Sequence, residues 1–120
     1  MISFKVENLK NMNASLKEFA EFLRRNDVAE EDVFASRLVS CELISNVIIH
    51  GGEAADFKGE LSGGKICITV SASGFENVNL QPPLPDILAE SGRGMYIVRS
   101  ICFGEIERSD GGLKVYIKLH

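Results

Sequence analysis

Two pairs of short β-forming segments, each pair joined by a turn with two adjacent glycines, constrain the fold of this chain most strongly. β-forming runs bounded by glycine turns are typical of hairpins, and the strands of a hairpin are antiparallel. The sequence therefore predicts a largely antiparallel sheet. The paired segments are residues 55–61 and 65–72 around Ser62-Gly63-Gly64, and residues 104–109 and 113–119 around Asp110-Gly111-Gly112.

A further strand and three helices are predicted from the periodicity of the apolar residues. The first helix follows the cap-like residues Asn11 and Asn13, and the second begins with a run of acidic residues that the helix macrodipole favours. Gly51-Gly52 predicts the end of the second helix. The predicted segments are a strand over residues 2–7 and helices over residues 14–26, 30–50 and 94–103.

Residues 73–92 lack periodicity and contain the three prolines of the chain. A stretch of this length without regular structure is uncommon in a compact domain and often forms a lid over a functional site. The element order β-α-α-β-β-loop-α-β-β predicts one α+β domain over residues 1–120. Its architecture would be a two-layer sandwich, in which about three helices cover one face of a mixed, mostly antiparallel sheet.

The composition argues against several classes of protein. A formal net charge of −4 and a pI near 5.2 argue against the clustered basic surface that a nucleic acid partner needs. The N-terminus has no signal-peptide pattern, and no apolar run approaches the ~20 residues that span a bilayer. Cys41, Cys67 and Cys102 lie in apolar stretches, which is typical of buried free thiols in a reducing compartment. We therefore expect a cytoplasmic protein without nucleic acid or membrane partners.

The second predicted helix carries three polar residues, Glu42, Asn46 and His50, at intervals of four, which places them in one line. A carboxylate and an amide among apolar neighbours need partners. One interpretation is a pocket wall, in which Glu42 acts as a base or holds a water molecule and Asn46 is an oxygen ligand for Mg²⁺. The alternative is a solvated stripe with ordinary contacts along the helix, in which His50 is simply a helix-end histidine.

The apolar residues of the same helix are predicted to divide between two faces, at about 100° per residue. One broad face contains Val33, Cys41, Ile44, Val47 and Ile48. Val39 and Leu43 fall on the far side, among the polar positions. The polar line is therefore flanked by apolar side chains.

A glycine-rich loop, Ser91-Gly92-Arg93-Gly94, runs directly into the third predicted helix. Glycines let backbone amides approach an anion, and a helix N-terminus adds positive potential. Arg93 would add charge-assisted contacts to a phosphate group. The loop is either a phosphate site or a plain turn between a loop and a helix.

Together these segments resemble the GHKL ATPases and, among them, the anti-sigma-factor serine kinases. Residues 42–51, with Glu42, Asn46 and His50 at matching positions, are similar to the N-box of that family. Residues 91–98 are similar to its second glycine box, and the hairpin at the end of the chain resembles its final hairpin. The order of the elements matches over nearly the whole chain, so the resemblance implies the GHKL ATPase fold.

The resemblance implies an ATP-binding protein kinase that phosphorylates a serine or threonine on an antagonist protein and regulates transcription by partner switching. Glu42 would be the catalytic carboxylate, and Asn46 would hold Mg²⁺. The implied partners are a sigma factor, an anti-anti-sigma protein or both, and a second copy of the chain in a homodimer. The implied nucleotide-binding positions are Asn46, His50, Gly74, Gly92, Arg93, Gly94 and Met95.

One departure from the family pattern lies in the first glycine box, whose aspartate recognises the adenine amino group. Ala72 stands where this aspartate is expected, and its methyl group accepts no hydrogen bond. Ser71 and Ser73 are candidate partial substitutes. An alternative function is therefore a nucleotide-free module of the same fold that binds a sigma factor or its antagonist. A third hypothesis, ranked last because such domains are usually longer, is the ATPase half of a sensor histidine kinase.

Overall fold

The computed structural model describes residues 1–49, 54–72, 98, 100–102, 106–109 and 112–119. Their elements, in chain order, are β1 (Ile2–Val6), α1 (Leu9–Arg25), α2 (Glu30–Ile49), β2 (Ala55–Ser62), β3 (Lys65–Ala72), β4 (Ile106–Ser109) and β5 (Gly112–Lys118). Residues 98 and 100–102 have helical backbone and belong to the third predicted helix. The predicted lid over residues 73–92 lies outside the described residues.

The strands form a five-stranded sheet in the order β1-β2-β3-β5-β4, and every neighbouring pair is antiparallel. Both predicted hairpins are confirmed. Gly63 and Gly64 join β2 to β3 with φ angles of 57° and 78°. A two-residue hairpin turn needs such left-handed angles because they match the twist of the strands, and glycine adopts them without steric cost.

The two faces of the sheet differ in burial, as the alternation of each strand requires. On β3, Ile66, Ile68 and Val70 are fully buried and join the hydrophobic core beneath the helices. Among the described helices, α1 packs along β1 and α2 packs on β2 and β3. Helices therefore cover one face, which confirms the predicted two-layer α+β sandwich. The other face, called the open face below, carries the side chains of Lys65, Cys67, Thr69 and Ser71.

The start of α1 differs from the predicted one. The helix begins at Leu9, five residues earlier than predicted, and its N-cap is Asn8 rather than Asn11 or Asn13. Asn8 has extended backbone, and its Oδ1 accepts a hydrogen bond from the Asn11 N–H at 3.0 Å. An asparagine side chain at this position satisfies one of the amides that the first turn leaves unpaired, so it fixes where the helix starts.

The buried face of α2 also differs from the predicted one. Val39 and Leu43 are fully buried, whereas Cys41 and Ile48 are only partly buried, so the predicted division into two apolar faces is wrong. The nine buried residues of the helix fall within one arc of about 160° when they are plotted at 100° per residue. The arc is wide because α2 packs against α1 as well as against the sheet.

An aromatic cluster joins α1 to the β1–β2 side of the sheet. The rings of Phe4 and Phe57 stack with centroids 4.5 Å apart, and Phe19 meets Phe57 edge-on at 4.9 Å. Gly59 makes room for this contact, because a Cβ atom there would lie 2.6 Å from Cε1 of Phe19. The missing side chain thus lets the Phe19 ring approach the backbone of β2 closely.

Candidate functional site

The C-terminal half of α2 lies near the end of the sheet where β2 begins and β3 ends. Only residues 50–53 separate Ile49 from Ala54, so those two residues are at most about 19 Å apart at 3.8 Å per Cα step. Ala55 opens β2 and pairs with Ala72, which closes β3. Chain connectivity therefore brings the predicted polar line and the predicted base-binding position to the same region of the molecule.

Glu42 and Asn46 lie one turn apart in this half of α2. The Asn46 side chain is buried, with 3% of its surface exposed, and stands at one margin of the buried arc. Glu42 is only partly buried and lies just beyond that margin. An amide oxygen inside the protein and a carboxylate at its surface are thus adjacent along one helix edge, which suits a site that holds a cation and also contacts a reactant.

Contacts with α1 hold this part of α2 in place. Ser45, between the two polar residues in sequence, donates a hydrogen bond from its Oγ to the Sδ of Met12 at 3.8 Å. At the other end of the helix pair, the Arg24 guanidinium binds the Glu30 carboxylate, with Nε 3.0 Å from Oε2. The two helices are therefore in contact through side chains at both ends of the antiparallel pair, and these contacts help to position the part of α2 that carries the candidate site.

Ala72 faces the helices, and Ser71 faces the other way. Ala72 is 7% exposed and belongs to the core, whereas Ser71 is partly exposed. Ser71 lines an open-face groove of about 380 Å³ together with Thr69 and Lys58. Ser71, a candidate partial substitute for the expected aspartate, therefore points away from the face that Ala72 occupies, because successive residues of a strand point to opposite faces. Ser73 lies outside the described residues.

The other predicted site residues lie outside the described residues. They are His50, Gly74, Gly92, Arg93, Gly94 and Met95. Within the part of the third helix that is described, Val98 and Cys102 are buried and pack in the core. The helix that follows the glycine loop is thus anchored by its apolar side.

Asn46 would contribute to a metal site that takes few of its ligands from the protein. In the described part of the chain, no group of three His, Cys, Asp or Glu side chains is arranged to hold a metal ion. Mg²⁺ usually takes one or two protein ligands and completes its shell with water and substrate phosphates. A single amide oxygen therefore fits Mg²⁺ bound together with a nucleotide, whereas a permanent metal site would need more ligands.

The family model described as the histidine kinase-like ATPase domain matches residues 4–119, nearly the full length of the chain. The chain belongs to this family. A search of the curated proteins finds no match. Histidine kinase-like ATPase domains generally bind ATP with Mg²⁺, and the fold described above is consistent with that architecture.

The fit of this histidine kinase-like ATPase domain to its expected ligand is uneven. Asn46 offers the hard oxygen donor that Mg²⁺ prefers. The side chain of Ala72, where the resemblance leads us to expect the adenine amino group, has no acceptor, and neither has the side chain of its cross-strand partner Ala55, which sequence reasoning missed. The signal that could have found Ala55 was the hairpin register, since a turn at residues 63–64 places residue 55 opposite residue 72.

No helix in the described ranges combines the length and the apolarity that a membrane crossing requires.

Proposed function

We propose that this chain is an Mg-ATP-dependent protein serine/threonine kinase of the anti-sigma-factor type. Its membership in the histidine kinase-like ATPase family supports nucleotide binding. The observation that carries the proposal is the adjacent placement of a buried Asn46 and a partly exposed Glu42 on one edge of α2. The finer assignment to anti-sigma-factor kinases rests on the resemblance of residues 42–51 and 91–98 to the boxes of that subfamily.

Two side chains have separate roles in the proposed reaction. Asn46 would hold Mg²⁺ through its amide oxygen, and Glu42 would take the proton of the acceptor hydroxyl as the new phosphate ester forms. Bound Mg-ATP would supply the γ-phosphoryl group, with ADP as the leaving group. His50, Gly74, Gly92, Arg93, Gly94 and Met95 are the further residues proposed to contact the nucleotide.

The proposed partners follow from the proposed class of kinase. They are a sigma factor and the antagonist protein whose serine or threonine accepts the phosphate, with a second copy of the chain as a homodimer partner. Phosphorylation adds about −1.5 to −2 charges to an acceptor at neutral pH, enough to release a docked protein by repulsion. Partner switching would then couple the phosphorylation state of the antagonist to transcription.

The experiment that tests the proposal is a thermal-unfolding titration with Mg-ATP. A ligand that binds only the folded state stabilises it by about 2.7 kcal/mol at a hundredfold excess over Kd. We expect wild type to show a rise in Tm that requires Mg²⁺. Asn46→Ala should lose the shift, whereas Asn13→Ala, an exposed asparagine on α1, should keep it.

A second readout separates binding from chemistry. Glu42→Gln keeps the size of the side chain but removes the base, so we expect it to retain the Mg-ATP shift and to lose phosphate transfer to an antagonist protein. A shift that survives in Asn46→Ala would contradict the metal role of Asn46. Transfer at the wild-type rate in Glu42→Gln would contradict the role of Glu42 as base.

The second candidate function is a nucleotide-free module that binds the same partners. The observation that favours it is the buried methyl group of Ala72 at the position where an adenine acceptor is expected. This candidate predicts no Tm shift with millimolar Mg-ATP in wild type and intact binding to a sigma factor or its antagonist. A clear Mg²⁺-dependent shift would exclude it.

A further inference from the structure

Two buried alanines form the sheet end next to α2. Ala55 and Ala72 are paired in the antiparallel register of β2 and β3, and both belong to the hydrophobic core. Ala55 is fully buried and Ala72 is 7% exposed. Methyl groups neither donate nor accept hydrogen bonds. A base that reached these two side chains would find an apolar surface there.

The polar side chains adjacent to these alanines in sequence lie on the opposite face of the sheet. Asp56 follows Ala55, Ser71 precedes Ala72, and Asp56 and Ser71 are paired with each other. Asp56 is exposed, and both side chains line the groove on the open face. Only a shift of one residue in the register would bring the Asp56 carboxylate to the helix-covered face, and the buried face forbids that shift.

Purine bases differ at C6 in the hydrogen bond that they offer. Adenine carries an amino group, which donates, whereas guanine and hypoxanthine carry a carbonyl oxygen, which accepts. A carboxylate at residue 72 would accept from the amino group and repel the carbonyl oxygen. A methyl group does neither, so neither adenine nor hypoxanthine finds a side-chain partner or a repelling charge at residue 72.

We infer that the nucleotide site of this chain does not select adenine and binds purine nucleoside triphosphates alike, whatever group stands at C6. The inference rests on the proposed nucleotide binding, and on the correspondence of Ala72 with the aspartate that contacts the base in the family. The Mg²⁺ and phosphate contacts then supply the affinity, since they are common to all nucleoside triphosphates. The substrate class is therefore Mg-purine nucleoside triphosphates rather than Mg-ATP alone.

The test is isothermal titration calorimetry of the full chain with Mg-ATP and with Mg-ITP, whose base is hypoxanthine. The two nucleotides have the same sugar, phosphates and ring size, so a difference in Kd reports recognition at C6 and the adjacent N1. We expect wild type to bind both within about threefold. An unpaired buried polar group costs about 1–3 kcal/mol, so selection at this position would appear as a preference of about tenfold or more.

Three variants test whether residue 72 sets the ratio of the Kd values for Mg-ATP and Mg-ITP. Ala72→Asp should raise the preference for ATP over ITP by about tenfold or more, because it restores an acceptor and repels the carbonyl oxygen. Ala72→Asn should leave the ratio near one, because its amide can present either an oxygen or an N–H group. Ser71→Asp adds the same charge one residue away on the open face, and it should leave the ratio unchanged.

Each outcome decides the inference. A wild-type preference for ATP of tenfold or more would overturn it and leave the proposed function intact. No heat and no Tm shift with either nucleotide would overturn the proposed function, and the inference with it. Should Ala72→Asp fail to fold, the wild-type ratio and the Ala72→Asn ratio still decide the question.

Discussion

Two serines on α2 differ in how their buried hydroxyls are satisfied. Ser36 and Ser40 are both fully buried on the face that packs in the core. The Oγ of Ser36 donates to the Asp32 carbonyl oxygen at 2.7 Å, whereas no hydrogen-bond partner is found among the described residues for the Oγ of Ser40. A buried hydroxyl without a partner carries the full cost of its desolvation. Substitutions at Ser36 and Ser40 therefore compare a buried hydroxyl that has a hydrogen-bond partner with one for which none is found among the described residues.

We predict that Ser40→Ala stabilises the fold and that Ser36→Ala does not. Removing the unpaired hydroxyl of Ser40 should raise the free energy of unfolding by about 1 kcal/mol, while Ser36→Ala loses a hydrogen bond worth a similar amount. Replacing serine with alanine raises the helix propensity by the same amount at both positions. The difference in unfolding free energy between the two variants therefore reports on their hydroxyl groups. Urea unfolding measures both variants. Equal stabilities would show that the Ser40 hydroxyl is satisfied.

At the scale of elements, the helices are fixed as much by their ends as by their apolar residues. Asn8 caps the start of α1, and at its end the Nδ2 of Asn26 donates to the Phe22 carbonyl oxygen at 2.8 Å. Asp27 then takes a left-handed φ of 61°, which turns the chain into α2. Aspartate tolerates this conformation better than most residues. The short connection makes α1 and α2 an antiparallel pair.

The capping of α1 yields a prediction at this scale. Asn8→Ala should lower the free energy of unfolding by about 1 kcal/mol, because it removes the side-chain acceptor of the Asn11 amide and leaves only the carbonyl oxygen of residue 8, at 3.2 Å. Asn13→Ala is the control, since Asn13 lies exposed within the helix, and alanine there should be neutral or slightly stabilising. Thermal unfolding measures both. A larger loss for Asn13→Ala than for Asn8→Ala would contradict the observed start of the helix.

At the scale of the whole molecule, the sheet separates a dry helix-covered side from an open face with titratable groups. Cys67 lies on the open face, yet it is only 4% exposed, between its cross-strand neighbours Glu60 and Tyr116. Tyr116 donates to Glu107 Oε2 at 3.1 Å, and the Nζ atom of Lys114 lies 5.9 Å from its ring centroid. Burial raises the pKa of the Cys67 thiol. Burial is also the main cause of the raised pKa of the Tyr116 hydroxyl, and the hydrogen bond to Glu107 adds to it.

The raised pKa of Cys67 predicts a loss of stability at alkaline pH. A thiol whose pKa is higher in the folded state contributes stability that is complete below its unfolded pKa and is lost as pH rises through its folded pKa. The free energy of unfolding should therefore decline above the ordinary thiol pKa of 9.0. Cys67→Ala should show a shallower decline.

The control for this prediction is Cys41→Ala, because Cys41 is a free thiol that is only partly buried on α2. Cys41→Ala removes a thiol but leaves Cys67 in place, so this variant should keep the decline that Cys67 causes. Denaturant titrations at several pH values between about 7 and 11 give the slopes of the unfolding free energy against pH, which are proportional to the difference in bound protons between the unfolded and folded states. Identical slopes in wild type and Cys67→Ala would contradict the prediction.

The sequence by itself determined the element types, the two hairpins and the α+β architecture. These are local properties, because alternation, helical spacing and glycine turns act within a few residues. It also determined that Glu42 and Asn46 share one helix edge. The family match over residues 4–119 agrees with what these local patterns indicated.

Only the tertiary structure decided which residues of α2 are buried, where α1 starts, and which face Ser71 and Ala72 occupy at the sheet end. Val39 and Leu43 are buried because α2 packs against two neighbours at once, and helical spacing alone does not reveal a second neighbour. The hairpin turn sets the pairing of Ala55 with Ala72, whereas the face of the hairpin that is buried depends on helices from elsewhere in the chain that pack on the sheet. The chemistry open to the candidate site is therefore set by packing, since burial and pairing decide which polar groups a nucleotide can reach.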